Sequence, residues 1–335
     1  QDPSLQRRIV RDIVIYSPSN RRVWLRARQG VHMFRRRDLD PFLRRRAEDA
    51  GVTLVRDKVR SVRPLSGGQW ELATDRGCAG PFDYLVGADG VQSVVRRRVA
   101  TAYRPLRLTL ALYAYVAGVA CSRMVLKFFK DFEGYLWVFP RVDHLSVGIC
   151  APHRSVGSDR LREELLGFLD RHYPQGRVTA RDLRGYLIPS DPEPPRIGNP
   201  QPGRATWALV GDAAGFVDPM TREGIAHAMR SAAALAACVA AGRRLRTPDV
   251  PVNLAWAHRH RRVFFRERSL EGMVRLAGGS GAIRRVLADL FEGRQEYRSL
   301  KARLLLNAVP CGLQAAWGGL RAMAHPVGSD RAASS

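Results

Sequence analysis

The sequence lacks the patterns that mark several common protein classes. Its five cysteines are scattered and contain no C-x-x-C pair, which argues against a disulfide framework or a zinc site and fits a reducing compartment. No uninterrupted apolar run reaches about 18 residues, so no membrane-spanning helix is predicted. No internal repeat is found either. A cytoplasmic chain without a bound metal is the expectation that follows.

Acidic residues are scarce beside basic ones. The chain has 55 Lys and Arg against 31 Asp and Glu, which gives a formal net charge of +24 at pH 7. Such an excess attracts nucleic acid, anionic lipid or polyphosphate cofactors. The arginines are spread along the whole chain rather than gathered in a compact module with interleaved aromatic residues, so nucleic acid is not the expected partner. Solvated basic faces are the favoured interpretation, and peripheral contact with a membrane stays open.

The pattern of apolar residues predicts a mixture of strands and helices. The alternation in RIVRDIVIYSPSNRRVWLRA indicates a β-hairpin, and RRRDLDPFLRRRAEDAG predicts a helix closed by Gly51. A short strand is expected at VTLV, followed by further strands. Residues 106–151 are rich in strand patterns, as in an antiparallel sheet inserted into an α/β framework. An amphipathic helix with Ser158 or Asp159 as its cap comes next, and the C-terminal third is helical.

The stretch DYLVGADGVQSVVRRRV joins an apolar strand to a glycine turn and a basic helix. Asp89 lies between two turn residues. A helix that starts near Val91 presents Arg96 and Arg97 towards a phosphate or an internal carboxylate. A capped helix with a solvated basic face explains the same residues equally well.

A second strand–turn–helix pattern of this kind follows about 120 residues later, in ALVGDAAGFVDPMTREGIAHAM. The strand delivers Gly211 and Asp212 to its carboxyl end, where an aspartate can accept hydrogen bonds from ribose hydroxyls. Pro219 stiffens the next turn. Glu223 and Gly224 then open a helix whose free N–H groups can stabilise the negative charge of a reduced flavin. The structural alternative is a simple strand–loop–helix turn with the aspartate as a cap.

Together the two turns resemble motifs of the flavoprotein monooxygenase superfamily, which includes aromatic hydroxylases and geranylgeranyl reductases. One motif, G-A-D-G-x-x-S-x-x-R, matches residues 87–96, and another, G-D-A-A-G-x-x-x-P-x-x-x-E-G-I, matches residues 211–225. An arginine four residues before an aspartate is a third element. The resemblance implies FAD as the cofactor, reduced by NAD(P)H or another reductant, and these cofactor-binding residues: Arg36, Asp89, Gly211, Asp212, Pro219, Glu223, Gly224 and Ile225.

The segment FEGYLWVFPRVDHLSVGI is similar to the Y-x-W-x-F-P segment of the geranylgeranyl reductase branch. Tyr135, Trp137 and Phe139 carry the match and are the expected substrate-binding residues, because an aromatic-lined sheet makes an apolar slot for a prenyl chain. Tyr135 is also the candidate catalytic residue, as a proton source. Ordinary sheet core is the alternative role of these aromatic residues.

Three features depart from the superfamily pattern. The G-x-G-x-x-G unit that holds a pyrophosphate is not found in the sequence, so we expect a fragment of a longer product or a start-site error. Arg222 stands where many relatives have glycine. Glu133 stands beside Gly134, where reductases often have two glycines.

The expected fold class is α/β (α+β): an incomplete Rossmann-like FAD-binding domain with an inserted antiparallel-sheet substrate domain and C-terminal helices. The predicted domains are 1–100 with 200–245 for FAD, 101–199 for substrate and 246–335 for the helical region. The expected function is FAD-dependent reduction of C=C bonds in a small apolar prenyl or isoprenoid substrate. An FAD- and NAD(P)H-dependent monooxygenase or halogenase is the enzymatic alternative, and a non-catalytic basic binding protein is the other.

Overall fold

The computed structural model describes residues 5–104, 108–153, 155–190, 206–242 and 254–291. The described residues divide into two compact units. The first contains residues up to 46, residues 110–186 and residues from 259 onward, and the second contains residues 47–109 and 187–258. Each unit therefore assembles segments that are distant in sequence.

Twelve strands and eight α-helices are found in the described residues. The strands are β1 (Arg7–Tyr16), β2 (Arg22–Phe34), β3 (Val59–Pro64), β4 (Trp70–Thr74), β5 (Gly77–Phe82), β6 (Tyr84–Gly87), β7 (Leu108–Ala117), β8 (Arg123–Phe128), β9 (Tyr135–Pro140), β10 (His144–Pro152), β11 (Arg184–Pro189) and β12 (Thr206–Leu209). The helices are α1 (Arg36–Asp49), α2 (Val94–Val99), α3 (Ser158–His172), α4 (Gly211–Ala214), α5 (Ile225–Ala240), α6 (Leu254–Phe264), α7 (Glu267–Gly279) and α8 (Gly281–Phe291).

A seven-stranded sheet forms the body of the first unit, with the strand order β11-β7-β10-β9-β8-β1-β2. The hairpin β1–β2 is antiparallel, as predicted, and β1 joins the rest of the sheet by parallel pairing with β8. Strands β8, β9 and β10 pair antiparallel in succession. The strand-rich pattern of residues 106–151 is thus confirmed as a largely antiparallel sheet.

The two faces of this sheet have different chemistry because side chains alternate along each strand. One face packs on α3 through a cluster that includes Leu136, Val138, Val147, Leu161 and Leu165, all fully buried. On β9 the intervening side chains, those at positions 135, 137 and 139, point to the opposite face. On β9 this second face carries three aromatic residues, while on the neighbouring strands β8 and β1 it carries buried aliphatic residues such as Leu126 and Ile15.

The second unit contains two smaller sheets. Strands β3, β4 and β5 form an antiparallel meander, and β6 pairs in parallel with β12. The indole N–H of Trp70 donates to the carbonyl oxygen of Thr206 at 2.8 Å, which ties the meander to the parallel pair. A separate apolar core lies between these strands and helices α2, α4 and α5.

Two local expectations were wrong. Residues 52–55 form no strand; Val52, Leu54 and Val55 are exposed, and among the described residues no strand pairs with them. Helix α3 has Gly157 as its N-cap without a side-chain cap, rather than Ser158 or Asp159, because the amide of Leu161 already donates to the Gly157 carbonyl.

The units differ from the predicted domain segments at the start of the chain. Strands β1 and β2 share the sheet with β7–β11 instead of joining the parallel pair of β6 and β12. The three C-terminal helices α6–α8 fall in the predicted helical region, while residues 292–335 lie outside the described residues. No helix of the described part has the length and apolar character needed to cross a bilayer.

Candidate functional site

The G-A-D-G turn leads from β6 into α2. Asp89 Oδ2 accepts hydrogen bonds from the backbone amides of Val94 (2.7 Å) and Val95 (3.3 Å). Ser93 Oγ accepts the amide of Arg96 at 2.8 Å. Both side chains satisfy amides that the helix itself leaves without acceptors. The turn is therefore held closed by its own polar residues, and the helix begins three residues later than predicted.

Arg96 joins this turn to the G-D-A-A-G turn. Its guanidinium is buried, with 1% of the residue exposed. Nε donates to the carbonyl oxygen of Thr101 (2.8 Å), and Nη1 donates to the carbonyl oxygen of Ala213 (2.9 Å). The guanidinium carbon lies 3.8 Å from the centroid of the Tyr103 ring. Arg96 thus donates to backbone carbonyls from two separate segments of the fold, as a buried cation needs acceptors around it.

The two turns leave the same edge of a parallel pair of strands. Gly87 lies opposite Leu209 in the register, and the amide of Val210 donates to the Gly87 carbonyl at 3.0 Å. Tyr103, which no motif indicated, donates its hydroxyl to the carbonyl oxygen of Asp212 at 2.8 Å. The structure therefore brings Asp89 and Asp212 to neighbouring strand ends, although about 120 residues separate them in the chain.

The G-D-A-A-G turn lies against α5 at close range. Gly211 has φ +55°, and its amide donates to the buried Oγ of Ser231 at 3.0 Å. A Cβ at Gly211 would lie 3.0 Å from the Cβ of Ala228. Gly215 ends the short α4 in the left-handed region, with φ +86°. The glycines are needed here for backbone conformation and for the close approach of α5.

Helix α5 begins beside the carboxylate of Asp212. Gly224 is the N-cap and has no side chain to fill the capping position, and a Cβ there would lie 2.9 Å from Asp212 Oδ1. Glu223 Oε1 accepts the amide of Ala226 at 3.3 Å. Ile225 is exposed on the first turn. The N-terminal end of a helix favours negative charge, so this end suits the two carboxylates and an anionic ligand group.

The loop before α5 is tightly built around Asp218. Its Oδ1 accepts the amides of Met220 (2.7 Å) and Thr221 (3.0 Å), and the adjacent Pro219 is buried. Arg222 is buried with φ +58°, a conformation in which glycine costs least. The departure at this position noted in the sequence therefore introduces a buried arginine in a glycine-type conformation.

His227, on the first turn of α5, is a buried residue that the sequence analysis missed. Among the described residues neither ring nitrogen has a hydrogen-bond partner. Burial lowers the pKa of His227, so its imidazole is neutral at pH 7. A histidine two residues after the E-G-I motif is a signal that could have drawn attention to it.

The aromatic face of the first unit contains all three predicted substrate residues. The ring centroids of Tyr135 and Trp137 are 6.1 Å apart, and those of Trp137 and Phe139 are 6.2 Å apart. Gly148 lies opposite Trp137 on β10, where a Cβ would come within 2.3 Å of the indole. The six-membered ring of the indole therefore occupies the space that a side chain at position 148 would need. Tyr113 extends the same face on β7, by the alternation of that strand.

An ion pair lies beside the N-terminal end of β9. Glu133 Oε1 lies 2.9 Å from Arg261 Nε, and both side chains are largely buried. Phe264 and Phe265 pack edge-on against Phe128, beside Tyr135. The glutamate that departs from the reductase pattern thus has a structural partner in α6.

Arg36 lies at the start of α1 in the first unit, whereas the other predicted cofactor residues lie in the second. Its Nε donates to both carboxylate oxygens of Asp40, at 2.8 and 3.0 Å, so the arginine and the aspartate four residues later pair as their spacing indicated.

Asp143, in the β9–β10 turn, accepts from Arg37 (2.5 Å) and Arg35 (3.1 Å). A hydrogen bond with His144, together with these arginines, lowers the pKa of Asp143 to about 2, so the carboxylate remains charged throughout the neutral range.

No group of three His, Cys, Asp or Glu side chains in the described ranges could hold a metal ion. The arrangement offers instead two glycine-rich turns at one strand edge and an aromatic sheet face. Both features are suited to an organic cofactor and an apolar ligand.

Comparison with solved structures identifies the fold. A geranylgeranyl bacteriochlorophyll reductase-like protein of Thermoplasma acidophilum superposes with a TM-score of 0.69 at 18% identity, covering 91% of this chain and 84% of that one. The halogenase PltM, in complex with phloroglucinol and FAD, gives a TM-score of 0.59 at 14% identity, covering 95% and 78%. The predicted mixed α/β class is confirmed, and the fold is that of the geranylgeranyl bacteriochlorophyll reductase-like protein.

Sequence comparison narrows the relationship. Geranylgeranyl diphosphate reductase of Synechocystis is 30% identical over 261 residues, covering 69% of this chain and 60% of the relative. Digeranylgeranylglycerophospholipid reductase 1 of Methanococcoides burtonii is 32% identical over 152 residues, covering 43% and 36%. No protein-family model matches the chain. The chain is thus related to the geranylgeranyl reductases, as its motifs indicated, and it spans about half the length of the curated relatives it matches.

Proposed function

We propose that this chain carries FAD-binding turns and a prenyl-binding sheet of a reductase that saturates C=C bonds in an apolar isoprenoid. The observation that carries the proposal is the joining of the two acidic glycine turns at one strand edge by Arg96 and Tyr103. Two such turns on adjacent strands are suited to a dinucleotide at the carboxyl ends of a parallel pair. The named relatives in the geranylgeranyl reductase group support the choice of reaction.

The residues of the second unit fit the cofactor. Bound and reduced, FAD supplies a hydride equivalent. Asp212 lies at the strand edge, where a carboxylate can accept hydrogen bonds from ribose hydroxyls. Gly224 leaves the N-cap position of α5 without a side chain, so the first-turn amides other than that of Ala226, which Glu223 accepts, are suited to an anionic edge of the ligand. Pro219 and Glu223 fix the loop that leads into this helix, and Ile225 sits exposed at its first turn.

The aromatic face of the first unit fits the substrate. Trp137 and Phe139 present flat apolar surface, and the indole occupies the space that a side chain at position 148 would need. Tyr135 is the proton donor that we assign, because its hydroxyl is the acidic group of the three matched aromatic residues. Hydride addition to one carbon of a C=C bond requires a proton at the other carbon, so a positioned phenol is of direct use.

The first prediction is a flavin-dependent saturation. The purified chain, incubated with FAD, is expected to retain a flavin absorption band after gel filtration. After anaerobic reduction, a C20 prenyl diphosphate should gain two hydrogens per saturated double bond, as measured by mass spectrometry. Oxygen consumption with a hydroxylated or halogenated product would instead assign monooxygenase or halogenase chemistry. A colourless protein that binds nucleic acid would contradict both enzymatic assignments.

A second prediction concerns Tyr135. Tyr135→Phe keeps the ring and removes the hydroxyl, so turnover in the same assay should fall by about 100-fold, the lower range for loss of a general acid. The flavin absorption band should be unchanged. Tyr113 lies on the same face of the sheet, on β7, so Tyr113→Phe is the matched control. This variant should keep the wild-type turnover. Equal rates for the two variants would remove Tyr135 from the proton transfer.

A further inference from the structure

Two arginines at the end of β9 have no carboxylate within ion-pair distance in the part of the chain that the structure describes. Arg141 Nη1 has the Sδ of Met33 as its side-chain partner, at 3.7 Å. Arg8 Nη1 donates to the carbonyl oxygen of Arg141 at 3.3 Å. A thioether and a carbonyl are weak or neutral acceptors. The charges of Arg8 and Arg141 are therefore not neutralised by the described residues around them.

The nearby acids are already engaged by other arginines. Asp143 binds Arg35 and Arg37, and Asp40 binds Arg36 through both oxygens. Because each carboxylate has its own partner, the local excess of positive charge falls on the end of β9. The excess is thus a property of this arrangement and not only of the basic composition.

The position of Arg141 makes this excess costly. Its side chain is half-buried and lies near the like charge of Arg36, and burial together with that charge lowers the pKa of Arg141. Tyr115 is also close to both guanidinium groups. Two neighbouring cations that are partly removed from water destabilise a protein unless an anion accompanies them. Such an arrangement favours a multiply charged anion with oxygens for both forks.

The cluster continues the aromatic face. Arg141 directly follows Pro140, the last residue of β9, and Tyr115 stacks edge-on with His144 at 5.0 Å. Tyr135 and Phe139 are four residues apart on the strand, about 13 Å at the rise of a β-strand. An extended apolar chain along this face would place its end group beside Arg141. The aromatic face of β9 therefore leads directly to the arginines at the C-terminal end of the strand.

We infer that Arg8 and Arg141, with Tyr115, form an anion subsite for the phosphate or diphosphate group of the ligand that lies on the aromatic face. The inference rests on the proposed function for the identity of the apolar part. The anion subsite itself can be tested without flavin and without turnover, so the two can fail separately.

The test is calorimetric titration of the full chain with inorganic diphosphate. Arg141→Gln is expected to weaken binding at least tenfold, because one charge-assisted contact to the anion is lost. Arg26→Gln is the matched control, since Arg26 is an exposed arginine on β2 that pairs with Asp12 at 2.6 Å. It removes the same formal charge and should leave the affinity within twofold.

A second variant and a stability measurement test whether weaker diphosphate binding is caused by misfolding. Arg8→Gln should weaken diphosphate binding in the same direction, and thermal unfolding of both variants shows whether the chain remains folded. The inference is overturned if the wild-type chain binds no diphosphate at millimolar concentration. It is equally overturned if Arg26→Gln weakens binding as much as Arg141→Gln, since the anion then reports only the basic surface.

Competition identifies the source of the phosphate. A C20 prenyl diphosphate that displaces inorganic diphosphate, while FAD does not, assigns the subsite to the substrate head group. Displacement by FAD assigns the same subsite to the phosphates of the cofactor. The corresponding prenyl alcohol is the control for the apolar chain and should compete at least tenfold more weakly than its diphosphate, because it lacks the anion.

Discussion

Arg96→Ala is expected to lower the free energy of unfolding of the second unit by about 3 kcal/mol, since it leaves buried carbonyl oxygens without donors. The carbonyls of Thr101 and Ala213 each accept from the guanidinium in the wild type. The Tyr103 ring also loses the cation that lies 3.8 Å from its centroid. Urea unfolding, followed by tryptophan fluorescence and circular dichroism, measures the change.

The matched control is the neighbouring residue. Arg97 is exposed and donates to the Gln92 carbonyl at 2.6 Å, so Arg97→Ala should change the free energy of unfolding by about 0.5 kcal/mol or less. Both substitutions remove one positive charge from α2 and introduce the same helix-favouring residue. The difference between the two variants therefore measures the buried contacts of Arg96. Equal unfolding midpoints would show that the guanidinium does not hold the turns together.

Arg96→Lys separates charge from geometry. Lysine keeps the positive charge but has a single ammonium group, which cannot reproduce the planar fork that meets both carbonyls. We expect an intermediate loss of stability. Under the proposed function the flavin absorption band should weaken in the order wild type, Arg96→Lys, Arg96→Ala. Full flavin retention in a folded Arg96→Ala protein would separate the junction of the turns from cofactor binding.

The local pattern of apolar and glycine residues was enough to predict the two turns. Apolar runs that end in Gly-Ala-Asp-Gly and Gly-Asp-Ala-Ala-Gly predicted strand, turn and helix, and β6, α2, β12 and α5 follow that order. Alternation along β9 also placed Tyr135, Trp137 and Phe139 on one face. Such features are predictable because they depend on residues close together in the chain.

The partners of Arg96 were not predictable in the same way. The carbonyl of Ala213 belongs to the backbone of a segment 117 residues away, and any residue type carries a carbonyl. Tyr103 lies outside both motifs, so nothing in the local pattern distinguished it. Residues 52–55 show the opposite error: their apolar pattern is typical of a strand, but strand formation needs a partner to complete the hydrogen bonds. Long-range pairing decides such cases.

The placement of β1 and β2 shows what the sequence pattern leaves undecided. The hairpin β1–β2 comes before α1 and was grouped with the residues that follow it. Its strand β1 instead pairs with β8, from Asp12 opposite Arg123 to Tyr16 opposite Lys127. Alternating patterns define which face a strand buries, but they carry no information about which sheet it joins. Only the register of the pairing settles that point.

Gly134→Ala is expected to destabilise the first unit by more than about 3 kcal/mol, the range reached when overpacking and backbone strain act together. Gly134 has φ +156°, and a Cβ there would lie 1.9 Å from the carbonyl oxygen of Cys150. That oxygen belongs to β10, directly opposite the start of β9. Because the obstacle is backbone, the antiparallel pair must separate at this end to admit a methyl group.

Two other glycines in the same unit distinguish the cost of the positive φ from the cost of the clash with β10. Gly118 has φ +73° with nothing within 4 Å of a built Cβ, so Gly118→Ala isolates the cost of a positive φ at about 1 kcal/mol. Gly157 has φ −63° and open space around it, so Gly157→Ala should cost about 1 kcal/mol or less, the loss from placing alanine at the N-cap of α3. If Gly134→Ala costs no more than Gly118→Ala, the clash with β10 is relieved elsewhere. If the prediction holds, Tyr135 shifts with the strand, and under the proposed function prenyl reduction should fall even in protein that remains folded.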